Sequence, residues 1–259
     1  MTTLPIRRLL ISIVTLALSL LPVSNTQAEE LTLAIANSTC KAIKKIGGLY
    51  VQQHEDVRLN YICKSSGRLA KGLHGNAIEA DIYLSANRQW MDYMIDAGLV
   101  SQTDVSHPWG NELVVATPLR SSITNFKWAD LKSDKVKSIL IGDPSTAPFG
   151  RYAKQALKAT NLWKEVRRKI HTKKHITLLV ERLAEAEPAA VGILFPSNVN
   201  SKLRVLHRID PELHDPIQYY LAPVKNEHPK EHIAPLISFI QSDSGQAVFL
   251  DEGFKLATP

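Results

Sequence analysis

Ser65-Ser66-Gly67, continuing through Ala80-Asp81 to Ser85-Ala86-Asn87-Arg88-Gln89-Trp90-Met91-Asp92-Tyr93, is the stretch that decides the fold. It reads as a hydroxyl-bearing loop, a helix from Ser66 to about His74, a buried strand at Asp81–Leu84, and a helix over Asn87–Asp96 closed by Gly98. Ser66 then stands at a helix start, where unpaired backbone N–H groups and the helix dipole favour an anion. Ser38 repeats the arrangement just after the apolar run Leu31–Ala36. Two such starts at strand ends imply an anion receptor.

Working outward, strands and helices alternate. Thr39–Glu55 is helix-like but interrupted by Gly47-Gly48, and Val57–Cys63 is the next strand. His107-Pro108-Trp109-Gly110 reads as a turn before a strand at Glu112–Thr117. The pattern restarts with a strand at Ser138–Gly142 and helices from Pro148 to about Thr160 and from about His175 to Ala186. Strands at Ala190–Phe195 and Ile217–Pro223 follow, then helices over Glu231–Gln241 and Ser244–Leu250. This rhythm predicts an α/β protein with mainly parallel sheets flanked by helices. Two lobes joined by two crossing strands fit it: residues 29–109 with 224–259 as lobe 1, and 110–223 as lobe 2. One continuous sheet is the alternative.

The N-terminus reads as a cleaved export signal over residues 1–28. Arg7-Arg8 precede an apolar run from Leu9 to Leu21, and Thr26-Gln27-Ala28 supplies small residues for cleavage. The run is short for a membrane span, which needs about 20 residues; a retained anchor is the alternative. A periplasmic, soluble chain is therefore expected. The full sequence carries a formal charge of +6, which falls to +4 without Arg7 and Arg8 (6 − 2), and a mild positive excess suits an anionic ligand. The basic run Lys164-Glu165-Val166-Arg167-Arg168-Lys169 lacks interleaved aromatics, so a solvated helix face is expected there rather than a nucleic-acid surface. Cys40 and Cys63 are the only cysteines, and in an oxidising compartment a pair favours a disulfide over two buried thiols. It would tie the Ser38 and Ser66 loops together.

Catalytic signatures are missing. There is no Gly-x-Ser-x-Gly elbow, phosphate-binding glycine loop or His-Glu-x-x-His zinc helix, and neither Ser38 nor Ser66 has a local base. No enzyme, cofactor or direct metal ligand is expected. Binding needs something else: an oxyanion taken out of water must regain its lost hydration from several donors. Ser38, Ser66, Phe149 and Ile176 all fall at predicted helix starts, two from each half. A serine at a helix start is ordinarily an N-cap, yet four such positions together point to a shared ligand.

The chain resembles the periplasmic molybdate-binding receptors of ABC importers. The resemblance is carried by Ser65–Tyr93, by Asn111-Glu112-Leu113-Val114-Val115-Ala116, by Ile141-Gly142-Asp143-Pro144 with Pro148-Phe149-Gly150-Arg151-Tyr152-Ala153, and by Val191-Gly192-Ile193-Leu194-Phe195. It implies a two-lobed class II binding protein, working as a monomer with a permease, that closes over molybdate or tungstate. Ser38 and Ser66 would each give a hydroxyl and a backbone N–H, and Phe149 and Ile176 a backbone N–H. Phe195 stands where the family commonly has a tyrosine, so one hydroxyl donor is missing, to be supplied by a group such as Ser197 or by water. Asn37 replaces a small apolar residue and could compensate, and Arg68 could reach a larger or more charged ligand. A receptor for another oxyanion or a small organic anion is the alternative on the same fold, and an exported enzyme a further one.

Overall fold

The alternating apolar runs build two sheets with helices on their faces. In this computed structural model, which describes residues 28–257, β1 (Glu29–Ala36), α1 (Cys40–Val51), β2 (Val57–Lys64), α2 (Ser66–His74), β3 (Ile82–Ser85) and α3 (Arg88–Asp96) follow in order. The export signal expected over residues 1–28 lies, but for Ala28, outside the described residues. β1 pairs in parallel with both β2 and β3. Leu33, Ala34 and Ile35 are all fully buried, as a strand covered on both faces requires.

α1 runs through Gly47-Gly48, where an interruption was expected. Gly47 faces β2, where any Cβ would overlap the Tyr61 side chain. The close packing this allows outweighs a helix-propensity cost of about 1 kcal/mol per glycine.

His107-Pro108-Trp109-Gly110 is a strand rather than a turn: β4 (Ser106–Gly110). Trp109 is fully buried and stacks on Phe249 with ring centroids 3.8 Å apart, an anchor that a local turn reading misses. Pro108 contributes only its carbonyl, which accepts from the Ala257 N–H.

The second sheet is built from β5 (Val114–Pro118), β6 (Ser138–Gly142), β7 (Ile170–Lys173), β8 (Ala190–Leu194) and β9 (Leu203–Arg208), in the order β7-β6-β8-β5-β9. Its helices are α4 (Pro148–Ala159), α5 (Leu162–Val166) and α6 (Ile176–Glu185). The basic run is not one solvated helix face. α5 ends inside it, and the Lys169 ammonium donates to the carbonyls of Leu131, Ser133 and Val136 at 3.3, 2.6 and 2.9 Å.

β10 (Gln218–Pro223), α7 (Ile233–Gln241), α8 (Asp243–Asp251) and β11 (Lys255–Leu256) return to the first sheet, whose order is β11-β4-β10-β3-β1-β2. β10 pairs antiparallel with β3 and β4, so residues 218–223, assigned to lobe 2 from the sequence, belong to the first sheet. Tyr219 through Ala222 are buried on both strand faces, as an interior strand demands, but nothing local names the partner strands. The two crossings run side by side: Asn111 N–H donates to the Ile217 carbonyl and Ile209 N–H to the Leu113 carbonyl, at 3.1 and 2.9 Å. The C-terminal segment is fastened to α1, where Lys41 and Lys45 pair with Glu252.

Candidate functional site

Parallel pairing brings the loops together. Ala36 is in register with Lys64 and Ile35 with Leu84, so β1, β2 and β3 release their C-terminal ends at one rim. From that rim the chain presents Ser38, Ser65-Ser66 and Ala86. Cys40, the first residue of α1, is disulfide-bonded to Cys63 near the end of β2, with Cα atoms 6.0 Å apart. In the second sheet Gly142 is in register with Lys173, so β6 and β7 feed α4 and α6, whose first turns carry Phe149 and Ile176. This is the general place for a ligand in open α/β sheets, outside the carboxyl ends of parallel strands.

The four helix-start residues meet. Ser38, Ser66, Phe149 and Ile176 line one small cavity, together with Ala36, Asn37, Ser65, Ala86, Pro148 and His175. No lysine, arginine, aspartate or glutamate is among them. A larger cavity, about 230 Å³, lies against the crossing segments near Asn111 and Ile217, but no α-helix starts in it.

The backbone N–H groups of Ser38, Ser66, Phe149 and Ile176 find no backbone acceptor among the described residues, while several nearby N–H groups do. Thr39 N–H donates to Ala36, Gly67 to Thr146, Gly150 to Ala147 and Leu179 to His175. First-turn N–H groups are the ones a helix leaves unpaired. Three of them, at Ser66, Phe149 and Ile176, with the Ser38 N–H just before α1, line one space and make it electropositive without any net charge.

The side chains add to this. Ser66 is fully buried, and its Oγ accepts from the Ala86 N–H at 3.0 Å, leaving the hydroxyl proton free to donate. His175 caps α6: its Nδ1 accepts from the Leu178 N–H at 3.2 Å, which places the proton of a neutral imidazole on Nε2. In the sequence His175 marked only the approximate start of this helix, with no role at the site. Its position as the cap before an apolar helix was the signal available.

The lobes touch around the cavity. Gly67 N–H donates to the Thr146 carbonyl, the Tyr152 hydroxyl to the Ala86 carbonyl, and the Asn198 amide to the Ser38 carbonyl, at 3.1, 3.3 and 3.4 Å. Burial pushes the Tyr219 hydroxyl pKa far up, against hydrogen bonding from Ser38 and Asn111, so it stays neutral beside Ser38. Burial also pushes Asp143 up, but hydrogen bonds from Ser145 and Thr146 and the field of Arg68 outweigh it and hold the carboxyl below its ordinary value. Arg68 is not part of the cavity lining.

Phe195 also stands outside that lining. It is fully buried among Phe149, Tyr152 and Tyr219, with ring centroids 6.2 to 6.4 Å away. Ser197 does not line the cavity either, and its Oγ accepts from the Asn111 amide at 2.8 Å.

Gly150 sets how closely α4 approaches β6. A Cβ there would overlap the Gly142 backbone. Gly150→Ala is expected to lift the start of α4, costing about 1–3 kcal/mol as overpacking does, and to move the Phe149 N–H off its target. Thermal melting and ligand titration check both effects; an unchanged melt would mean the helix start has slack.

Two α/β units joined by paired crossings, with unpaired helix-start donors from both around one cavity, define a two-lobed ligand-binding protein. The chain belongs to the bacterial extracellular solute-binding proteins, whose family model matches residues 31–255. It is 26% identical over 234 residues to the molybdate-binding protein ModA of Haemophilus influenzae, covering 88% of this chain and 90% of the relative. Its fold matches the Azotobacter vinelandii periplasmic molybdate-binding protein with a TM-score of 0.77 at 15% identity, over 88% of this chain and 100% of the other. It also matches the sulfate-binding protein SubI of Mycobacterium tuberculosis, with a TM-score of 0.75 at 11% identity, over 89% and 88% of the two chains. At such identities the two structures speak to fold alone.

Proposed function

We propose that this chain is an exported, periplasmic receptor that captures a tetrahedral oxyanion, molybdate or tungstate, and delivers it to an ABC-type permease. One observation carries the reading: N–H groups of Ser38, Ser66, Phe149 and Ile176, unspent on backbone acceptors, surround a cavity lined by no acid and no lysine or arginine. A dehydrated dianion there is held by fixed dipoles, each hydrogen bond to it worth about 1.5–3 kcal/mol. The chain acts as a monomer, without cofactor or turnover, and binds no nucleic acid.

The proposed mechanism is lobe closure. Residues 28–110 with 218–257 form one lobe and 114–208 the other, hinged at the paired crossings. Donors from both lobes reach the ligand together only when the lobes meet, so the ligand favours the closed state by its higher affinity for it. The 26% identity to a protein named for molybdate supports the ligand class. The likeness of fold to a sulfate-binding protein keeps other oxyanions in the comparison.

Calorimetric titration with molybdate, tungstate, sulfate and phosphate tests it. Molybdate and tungstate are expected to bind most tightly, and to within a few-fold of each other because their size and charge nearly coincide. Binding of neither, with a tight organic ligand instead, would overturn the reading.

A further inference from the structure

We propose that the Ser65 hydroxyl is a further oxyanion donor, taking the place of the hydroxyl that Phe195 lacks; this rests on the oxyanion-receptor reading above. Ser65 lines the same cavity as the four unspent N–H groups and is only 4% exposed. Its Oγ is buried without a hydrogen-bond partner, one of three such side-chain atoms among the described residues. A buried hydroxyl in that state is unfavourable and rare.

The ordinary duty of this serine is already discharged by other atoms. Ser65 is the N-cap of α2, where a hydroxyl would accept from the N–H two or three residues on. Here the Ser65 side chain makes no capping bond. The Gly67 N–H goes instead to the Thr146 carbonyl at 3.1 Å, and the Arg68 N–H to the Ser65 carbonyl at 2.9 Å. The helix start therefore gains nothing from the hydroxyl. Ser66, next along the chain, differs because its Oγ is held by the Ala86 N–H.

Two other sources of the missing donor are out of reach, while Asn37 and His175 share the lining with Ser65. Phe195 has no polar atom and is sealed among rings, and the Ser197 Oγ is occupied by Asn111. Ser65 is neutral, so it supplies a donor without adding a charge to a lining that has no acid, lysine or arginine.

The test compares wild type, Ser65→Ala and Ser65→Thr by molybdate calorimetry and by ligand-free thermal melting. For Ser65→Ala a loss of affinity of about tenfold to a hundredfold is expected, the scale of one charged hydrogen bond. Its ligand-free melting temperature should be no lower than wild type, since the lost hydroxyl has no protein partner. Ser65→Thr, which keeps the hydroxyl, should retain most of the affinity. If wild type binds molybdate and Ser65→Ala binds it equally well, the proposal is overturned and the receptor reading stands. If wild type binds none of the four oxyanions, the receptor reading fails and this one falls with it.

Discussion

Ser66→Ala is expected to weaken molybdate binding by about tenfold to a hundredfold, on the scale of about 1.5–3 kcal/mol for one hydrogen bond to a charged group. The geometry makes this loss steep. The Ser66 Oγ is held in place by the Ala86 N–H at 3.0 Å, so the oxygen is already positioned and little ordering remains when ligand arrives. The substitution also strands the Ala86 N–H, which is buried, and the ligand-free protein should lose about 1–3 kcal/mol of stability. Ser66→Ala thus lowers both affinity and ligand-free melting temperature, where Ser65→Ala lowers affinity alone. Calorimetry and melting of the two variants side by side separate them. Wild-type affinity in Ser66→Ala would remove that hydroxyl from the site.

Reduction of the Cys40–Cys63 bridge is expected to destabilise the protein by about 3 kcal/mol, on the chain-entropy estimate for a closed loop of this length. For a chain of this size that is a fall in melting temperature of roughly 6–12 °C. The bridge joins the start of α1 to the end of β2, with 23 residues of sequence separation, and neither cysteine is fully buried, so a thiol reductant reaches it. Because it spans the loops carrying Ser38 and Ser66, affinity should fall as well. Scanning calorimetry with and without reductant, then titration of the reduced protein, measures the two effects. An unchanged melting temperature would show that the parallel pairing of β1 and β2 holds the loops unaided.

The parts of the site legible in sequence were those where one local signal sufficed. Ser66 opens α2, Pro148 opens α4 and the polar stretch before Ile176 opens α6, each with an apolar periodic run behind it. A helix start determines which N–H groups are unpaired, whatever surrounds it. The misread segments depended on distant partners. β4 is a strand because Trp109 meets Phe249 and because β10 and β11 pair on either side, none of which leaves a trace near residue 107. β10 was given to the wrong lobe for the same reason.

The sequence by itself determined the α/β alternation, the helix starts that expose donors, and the cysteine pair beside two of them. These follow from side-chain periodicity and backbone hydrogen-bond arithmetic, which act over a few residues. Tertiary structure alone decided that donors from two sheets face one cavity, that Phe195 turns away from it, and that the Ser65 hydroxyl is left there unpaired. Those outcomes depend on strand order and on packing between residues more than a hundred positions apart, where no local preference reaches.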